Sequence, residues 1–272
     1  MKNSDLGPRR EYKQGIVASL LDQLQARGCL VASLPDLADA SGLSPLAVKR
    51  QIEHLANRVG RLPGRPSSYL IVAPEHRKRG APPVDFWLAD YCRVHDKPYY
   101  VGLLSAAALH GSAQQAVQLT QVMTSSATRA FSVGNVHVEF HVKQHLLGTP
   151  LTPIRGLAST LAVSSPEATA LDLIAFQHCV GGIARATEVI TGLLPVMTNE
   201  GWHRALKNAS PTVRQRTGYV LKTLGARRFA TAVQITLPSK LRPVVLQNAM
   251  PTRGTELEQP WQVIDNVGLK YE

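Results

Sequence analysis

Two serines, each placed just before a helical apolar pattern and separated by a glycine, set the tightest constraint on what the first part of this 272-residue chain can become. Ser33 precedes Leu34, Leu37 and Ala38, with Asp36 where it meets the positive end of a helix. Ser41-Gly42 then allows a sharp turn. Ser44 is a good cap for a second helix, Pro45 suits its first turn, and Leu43 and Val48 are spaced as a hydrophobic staple. Val48, Ile52, Leu55 and Val59 fall on one narrow face, with Leu46, Lys49, Arg50, Glu53 and Asn57 broadly opposite. A short helix, a glycine turn and a longer helix basic near its start match the helix-turn-helix arrangement. An amphipathic helix from about Gly15 to Ala26 and a short strand at Cys29-Leu30-Val31 precede it.

Beyond it, Arg58–Leu62 and Ser67–Val72 flank Pro63-Gly64-Arg65-Pro66, which reads as a β-hairpin with Arg65 at its tip. Such a hairpin is a wing able to lie along a phosphate backbone. In a winged helix-turn-helix the second helix enters the major groove by its first turns. The candidate DNA-binding residues are therefore Ser44, Ala47, Lys49, Arg50, Arg61 and Arg65, and the expected partner is double-stranded DNA. A small helical domain with merely solubilising charges is the competing reading; it leaves the agreement of staple, turn, basic helix and hairpin unexplained.

Thirty Lys and Arg against nineteen Asp and Glu give a net charge of +11, which favours polyanions, DNA or RNA before anionic membranes. No stretch approaches the roughly 18 apolar residues of a membrane span, and Met1–Pro8 lacks a signal-peptide core. No membrane partner is expected. Cys29, Cys92 and Cys179 are far apart and odd in number, so the expectation is a reducing cytoplasm without a disulfide scaffold or zinc finger. From Gly201 to Arg242 there are nine basic residues and no acidic one. Two readings stay open for this run: a solvated helix face, or a surface for nucleic acid or an acidic partner, carried by Arg204, Lys207, Arg214, Arg216, Arg227 and Arg228.

His76–Pro83 is basic and then rich in Gly and Pro, which places a domain boundary there: residues 1–78 as the DNA-binding domain and 79–272 as a mixed α/β domain, an α+β chain overall. In the second part, Val84–Cys92 and Leu103–Gly111 read as helices, Tyr99–Gly102 as a strand or bend, and Val117–Thr124 and Asn135–Lys143 as strands. Val136, Val138, Phe140 and Val142 alternate with His137, Glu139 and His141, as in a strand with one wet face. Leu161-Ala162-Val163 leads to Ser165-Pro166, a helix start. Helical patterns run to Leu224-Gly225, and Gln234–Leu237 and Trp261–Ile264 read as late strands.

Little here points to catalysis. His137, Glu139 and His141 share one strand face, but spacing of about 7 Å along a strand is wide for one metal ion. Ser105 and His110 lie in an apolar helix without a nucleophile elbow. Glu167 and Asp172 diverge on their helix and read as capping or exposed residues. Phosphate-loop and dinucleotide motifs are missing, so no catalytic residue, metal or cofactor is expected.

Three segments together resemble the AbiEi-type antitoxins of bacterial type IV toxin–antitoxin systems, linked to abortive phage infection. They are Tyr99–Gly111, Ser164–Asp172 and Arg214–Leu221, and their order and spacing carry the likeness across nearly the whole chain. Ala168 departs from the pattern, which leads one to expect Arg. The resemblance implies a winged domain that binds inverted repeats upstream of its own operon and represses it. It also implies a C-terminal domain that neutralises a nucleotidyltransferase-like toxin without a tight complex. A ligand-responsive regulator with a C-terminal effector domain is the alternative; an enzyme tracking nucleic acid is the third reading. RNA remains a further partner for the basic run.

Overall fold

The computed structural model describes residues 15–112, 119–155, 160–248, 250–252 and 256–270. Val117 and Gln118 of the expected strand, and the Met1–Pro8 segment, lie outside these. The chain divides into two compact units, one of residues 1–98, 130–138 and 155–161, the other of 99–129, 139–154 and 162–272.

In the first unit, α1 (Ile16–Ala26), β1 (Val31–Ser33), α2 (Leu34–Ser41) and α3 (Pro45–Glu53) come in that order. They bury Val17, Leu21, Leu37, Val48 and Ile52 against one another. Ser33 Oγ accepts from Asp36 N at 3.2 Å, and Ser44 Oγ accepts from Ala47 N at 3.3 Å, so both serines cap their helices. Gly42 closes α2 in the left-handed region at φ +64, where a side chain would be strained. α3 is shorter than the apolar spacing suggests. It ends at Glu53, and Val59 opens β2 (Val59–Leu62), which pairs antiparallel with β3 (Ser68–Ile71) while β1 covers the other edge of β3. Val59 is half-buried and shares its strand face with exposed Arg61, so its alignment with Val48 and Ile52 in the sequence spacing does not extend the helix.

The first unit runs past residue 78 to Pro98. Its later part is α4 (Leu88–Val94), with Trp87, Leu88 and Tyr91 buried, and Trp87 Nε1 donating to Pro82 O at 3.2 Å. The hairpin of β6 (Phe131–Val133) and β7 (Val136–Val142) turns at Gly134. A Cβ on Gly134 would lie 2.3 Å from Arg79 O, so only glycine allows this approach. The Gly/Pro-rich segment 76–83 is thus a docking strip for a hairpin distant in sequence, a pairing that composition cannot reveal.

In the second unit, β4 (Tyr99–Val101) pairs antiparallel with β5 (Leu119–Thr124) and parallel with β9 (Thr160–Ser164), in the order β7-β5-β4-β9-β8, with β8 at Leu151–Arg155. Helices α5 (Leu103–Leu109), α6 (Pro166–Ala175), α7 (Ile183–Leu193), α8 (Asn199–Leu206), α9 (Pro211–Thr223) and α10 (Arg227–Gln234) complete it. α6 is central, packs on α5, α7, α8 and α9, and is buried from Glu167 to Ile174. Gln234–Leu237 is not a strand: α10 runs through Gln234 and then turns, leaving Ile235 exposed. A small sheet of β10 (Val244–Val245), β12 (Val263–Ile264) and β11 (Leu257–Glu258) closes the unit.

Candidate nucleic-acid interface

Burying Val48 and Ile52 turns the opposite face of α3 to solvent, and that face carries Leu46, Lys49, Arg50 and Glu53. Ala47 is half-buried, and Ser44 is exposed but committed to capping. Arg61 on β2 stands opposite Tyr69 of β3 and is exposed, as is Arg65 in the wing turn. Among the described residues none of the Lys49, Arg50, Arg61 and Arg65 side chains makes a hydrogen bond or an ion pair. Four cations without protein partners are available to phosphates or base edges. Leu46 is 61 % exposed, an unusual position for so large an apolar side chain. Its place on the outward face was legible in the sequence.

The wing turn is fixed from behind by α4, a connection that the sequence does not announce. Tyr91 OH donates to Pro63 O at 3.1 Å. His95 Nε2 lies 2.9 Å from Ser68 Oγ, and its Nδ1 lies 3.4 Å from Arg65 O. Gly64, at φ +129, touches the imidazole so closely that a Cβ would fall 2.4 Å from the ring. Burial holds the His95 pKa below its usual 6.5 and pushes the Tyr91 hydroxyl up to about 12. Both groups are therefore neutral near pH 7, and the neutral imidazole can donate to the Arg65 carbonyl while accepting from Ser68.

The second basic run has a different character. Arg216 is buried, donating from Nε to Val245 O at 2.9 Å and from Nη2 to Asn248 Oδ1 at 2.6 Å. Burial lowers its pKa from 12.5. Arg214 Nη1 donates to Thr236 O at 2.7 Å, and Gln215 Nε2 donates to Arg242 O and Trp261 O, both at 2.9 Å. A Cβ on Gly218 would meet the Trp261 ring at 1.9 Å, and Tyr219 OH donates to Asp265 Oδ2 at 2.8 Å. Residues 214–219 are therefore a clamp on the segment from Thr236 to Asp265, which removes Arg216 from the expected surface and half-buries Arg214. Arg204 pairs with Glu200 at 2.9 Å and Arg228 donates to Asn199 Oδ1 at 2.7 Å, both from exposed positions. Lys207 and Arg227 are exposed and make no side-chain contact of either kind among the described residues.

The other chemical constellations resolve into structural contacts. Glu167 is buried, accepting from Thr198 N at 2.7 Å and from Ser165 Oγ at 3.0 Å, so it ties α6 to the start of α8. Asp172 is buried too and accepts from Tyr100 and Lys143, which corrects the expectation of exposure for this pair. Ser105 and His110 bond to backbone, at Leu119 O and Ser164 O. The alternation along β7 inverts after Val138, where the strand passes from one unit to the other: Val142 is exposed, and His141 lies mostly buried 3.4 Å from Glu139. Among the described residues no group of three His, Cys, Asp or Glu is placed to hold a metal ion, and no helix is long and apolar enough to cross a membrane.

Residues 100–223 match the family model of the AbiEi antitoxin C-terminal domain. The crystal structure of the RV2827C protein from Mycobacterium tuberculosis is similar with a TM-score of 0.65 and 17% sequence identity, covering 92% of this chain and 91% of that one. That likeness extends the shared α+β fold over both units. No curated protein matches the chain.

Proposed function

We propose, from the match of residues 100–223 to the AbiEi antitoxin C-terminal domain, that the chain is the antitoxin and autorepressor of a type IV toxin–antitoxin operon. The first unit binds operator DNA, with α3 in the major groove and the wing on the backbone. Lys49 and Arg50 reach base edges or flanking phosphates from the first turns of α3, and Arg61 and Arg65 hold phosphates. Leu46 meets thymine methyl groups in the same groove. The observation that supports this most is the set of four exposed cations, on one helix and one hairpin, that have no partner among the described residues. The second unit neutralises a nucleotidyltransferase-like toxin without a stable complex, through Lys207, Arg227 and their neighbours. Here the chain acts by binding and not as an enzyme.

Two assays separate the roles. A reporter driven by the DNA directly upstream of the gene should be repressed by the chain and released by Arg50→Ala. Growth arrest caused by the adjacent toxin gene should be relieved by the chain and by Arg50→Ala alike, but not by Lys207→Glu/Arg227→Glu. Repression without rescue would leave only a regulator. The ligand-responsive alternative draws on one observation, a cavity in the second unit lined by Lys143, Leu171 and Asp172.

A further inference from the structure

That cavity measures about 380 Å3, within the range of small-molecule sites. One wall is the face of α6 that carries Ala168, Leu171, Asp172 and Ala175; the others come from residues 142–150 and 205–213. Here the wall residues Ala168, Ala175, Ala205 and Ala209 stop at Cβ, and the space they leave is not filled by their neighbours.

The polar lining includes Lys143, Gln144, His145, Thr149, Asp172, Asn208 and Ser210, and Tyr100, just behind it, joins the network of Lys143 and Asp172. Tyr100 OH donates to Asp172 Oδ2 at 2.6 Å, and Lys143 Nζ donates to Asp172 Oδ1 at 2.7 Å and to Tyr100 Oη at 3.0 Å. Burial, with the Asp172 carboxylate beside it, keeps the Tyr100 hydroxyl protonated. The Asp172 side chain is 3% exposed and that of Lys143 is 21%. The carboxylate is therefore behind and satisfied, while the ammonium is the charge nearer solvent. Among the described residues its third N–H has no acceptor. Ser210 and Val213, at the positive end of the 13-residue α9, line the opposite side.

We infer that this cavity binds a small amphipathic anion. An apolar body lies against Leu171, Phe176 and Val213, and a carboxylate, phosphate or sulfonate head accepts from Lys143. The N–H of Lys143 left over from its bonds to Asp172 and Tyr100 faces the cavity side open to solvent, so an anionic head can accept from it in place of water. The inference does not rest on DNA binding or on toxin neutralisation, and its test uses neither.

The probe is 8-anilinonaphthalene-1-sulfonate, titrated into the full chain and followed by its fluorescence. Saturable binding of one dye per chain is expected. Ala175→Leu and Ala209→Phe, which fill the cavity from two walls, should each weaken it by about tenfold or more, a loss of roughly 1.4 kcal/mol. The double variant Lys143→Gln/Asp172→Asn removes the ammonium without stranding the carboxylate, and should weaken binding similarly while the circular dichroism spectrum is kept. Leu147→Ser, at an 87 % exposed neighbour on the surface, should leave it unchanged. Absence of saturable binding, or binding lost in Leu147→Ser and retained in both cavity-filling variants, would overturn the inference.

Discussion

Lys49, Arg50, Arg61 and Arg65 stand exposed on α3 and the wing, with side chains that make no ion pair or hydrogen bond among the described residues. In the second basic run Arg204, Arg214, Arg216, Lys222 and Arg228 each have a partner within their own unit. The two regions have comparable charge as sequence and opposite use as structure. A cation already satisfied by a carbonyl, an amide or a carboxylate has lower affinity for a phosphate, because the old contact must be given up. Net charge along a sequence therefore overstates the second surface, and what remains of it among the described residues is Lys207, Arg227, Lys240 and Arg242.

The largest effects should separate the regions by stability. Gly218→Ala forces a methyl group into the Trp261 ring and should cost about 3 kcal/mol or more. Arg216→Ala strands the Val245 carbonyl and the Asn248 amide and should cost about 2–4 kcal/mol. Arg50→Ala should cost less than about 0.5 kcal/mol in the same urea titration. Equal, small losses at all three sites would erase the distinction.

Next comes DNA affinity, with the ranking reversed. Arg50→Ala should lose about 1–3 kcal/mol on the specific sequence, whereas Lys207→Glu/Arg227→Glu should bind DNA as the parent does. A gel-shift titration on the upstream fragment measures both. Replacing thymine by deoxyuridine in that fragment should weaken the parent chain more than Leu46→Ala, by up to about 1 kcal/mol per methyl lost. Equal sensitivity of the two proteins would remove Leu46 from the groove.

A smaller effect concerns the support of the wing. Tyr91→Phe breaks the bond to Pro63 O and should cost about 1 kcal/mol of stability while weakening binding to every sequence alike. Smallest is the response to acid. His95 and His141 both titrate below 6.5, chiefly through burial. As pH falls through 6.5 the unfolded chain takes up protons before the folded one, so stability fully present above that pH is lost as the pH drops toward the lowered folded-state values. His95→Gln should flatten part of that loss in thermal melts, by under about 1 kcal/mol.

The helix-turn-helix was legible because its signals are local: Ser33 and Ser44 cap the helices that begin at the very next residue, and Gly42 turns the chain where it stands. The wing hairpin was legible for the same reason, from two apolar runs around Pro63–Pro66. What could not be read depends on distant partners. Gly134 reaches Arg79, Tyr91 and His95 reach the wing, and residues 214–219 grip Trp261 and Asp265. Arg216 shows the limit most clearly, since nothing near it in sequence announces that its guanidinium faces a carbonyl instead of water. The outward face of α3, with Leu46, Lys49, Arg50 and Glu53, was legible because an amphipathic helix displays that face in its spacing.

The central claim is that only the first set of cations grips DNA. Its most direct test is the salt dependence of binding to the upstream duplex, measured by fluorescence anisotropy with the full chain. Each phosphate contact contributes about 0.9 to the slope of log affinity against log salt. Arg65→Ala should reduce the slope by about 1, and Lys207→Glu/Arg227→Glu should leave it unchanged. A slope that ignores Arg65 and falls with Lys207 and Arg227, or no binding at low salt, would contradict the account.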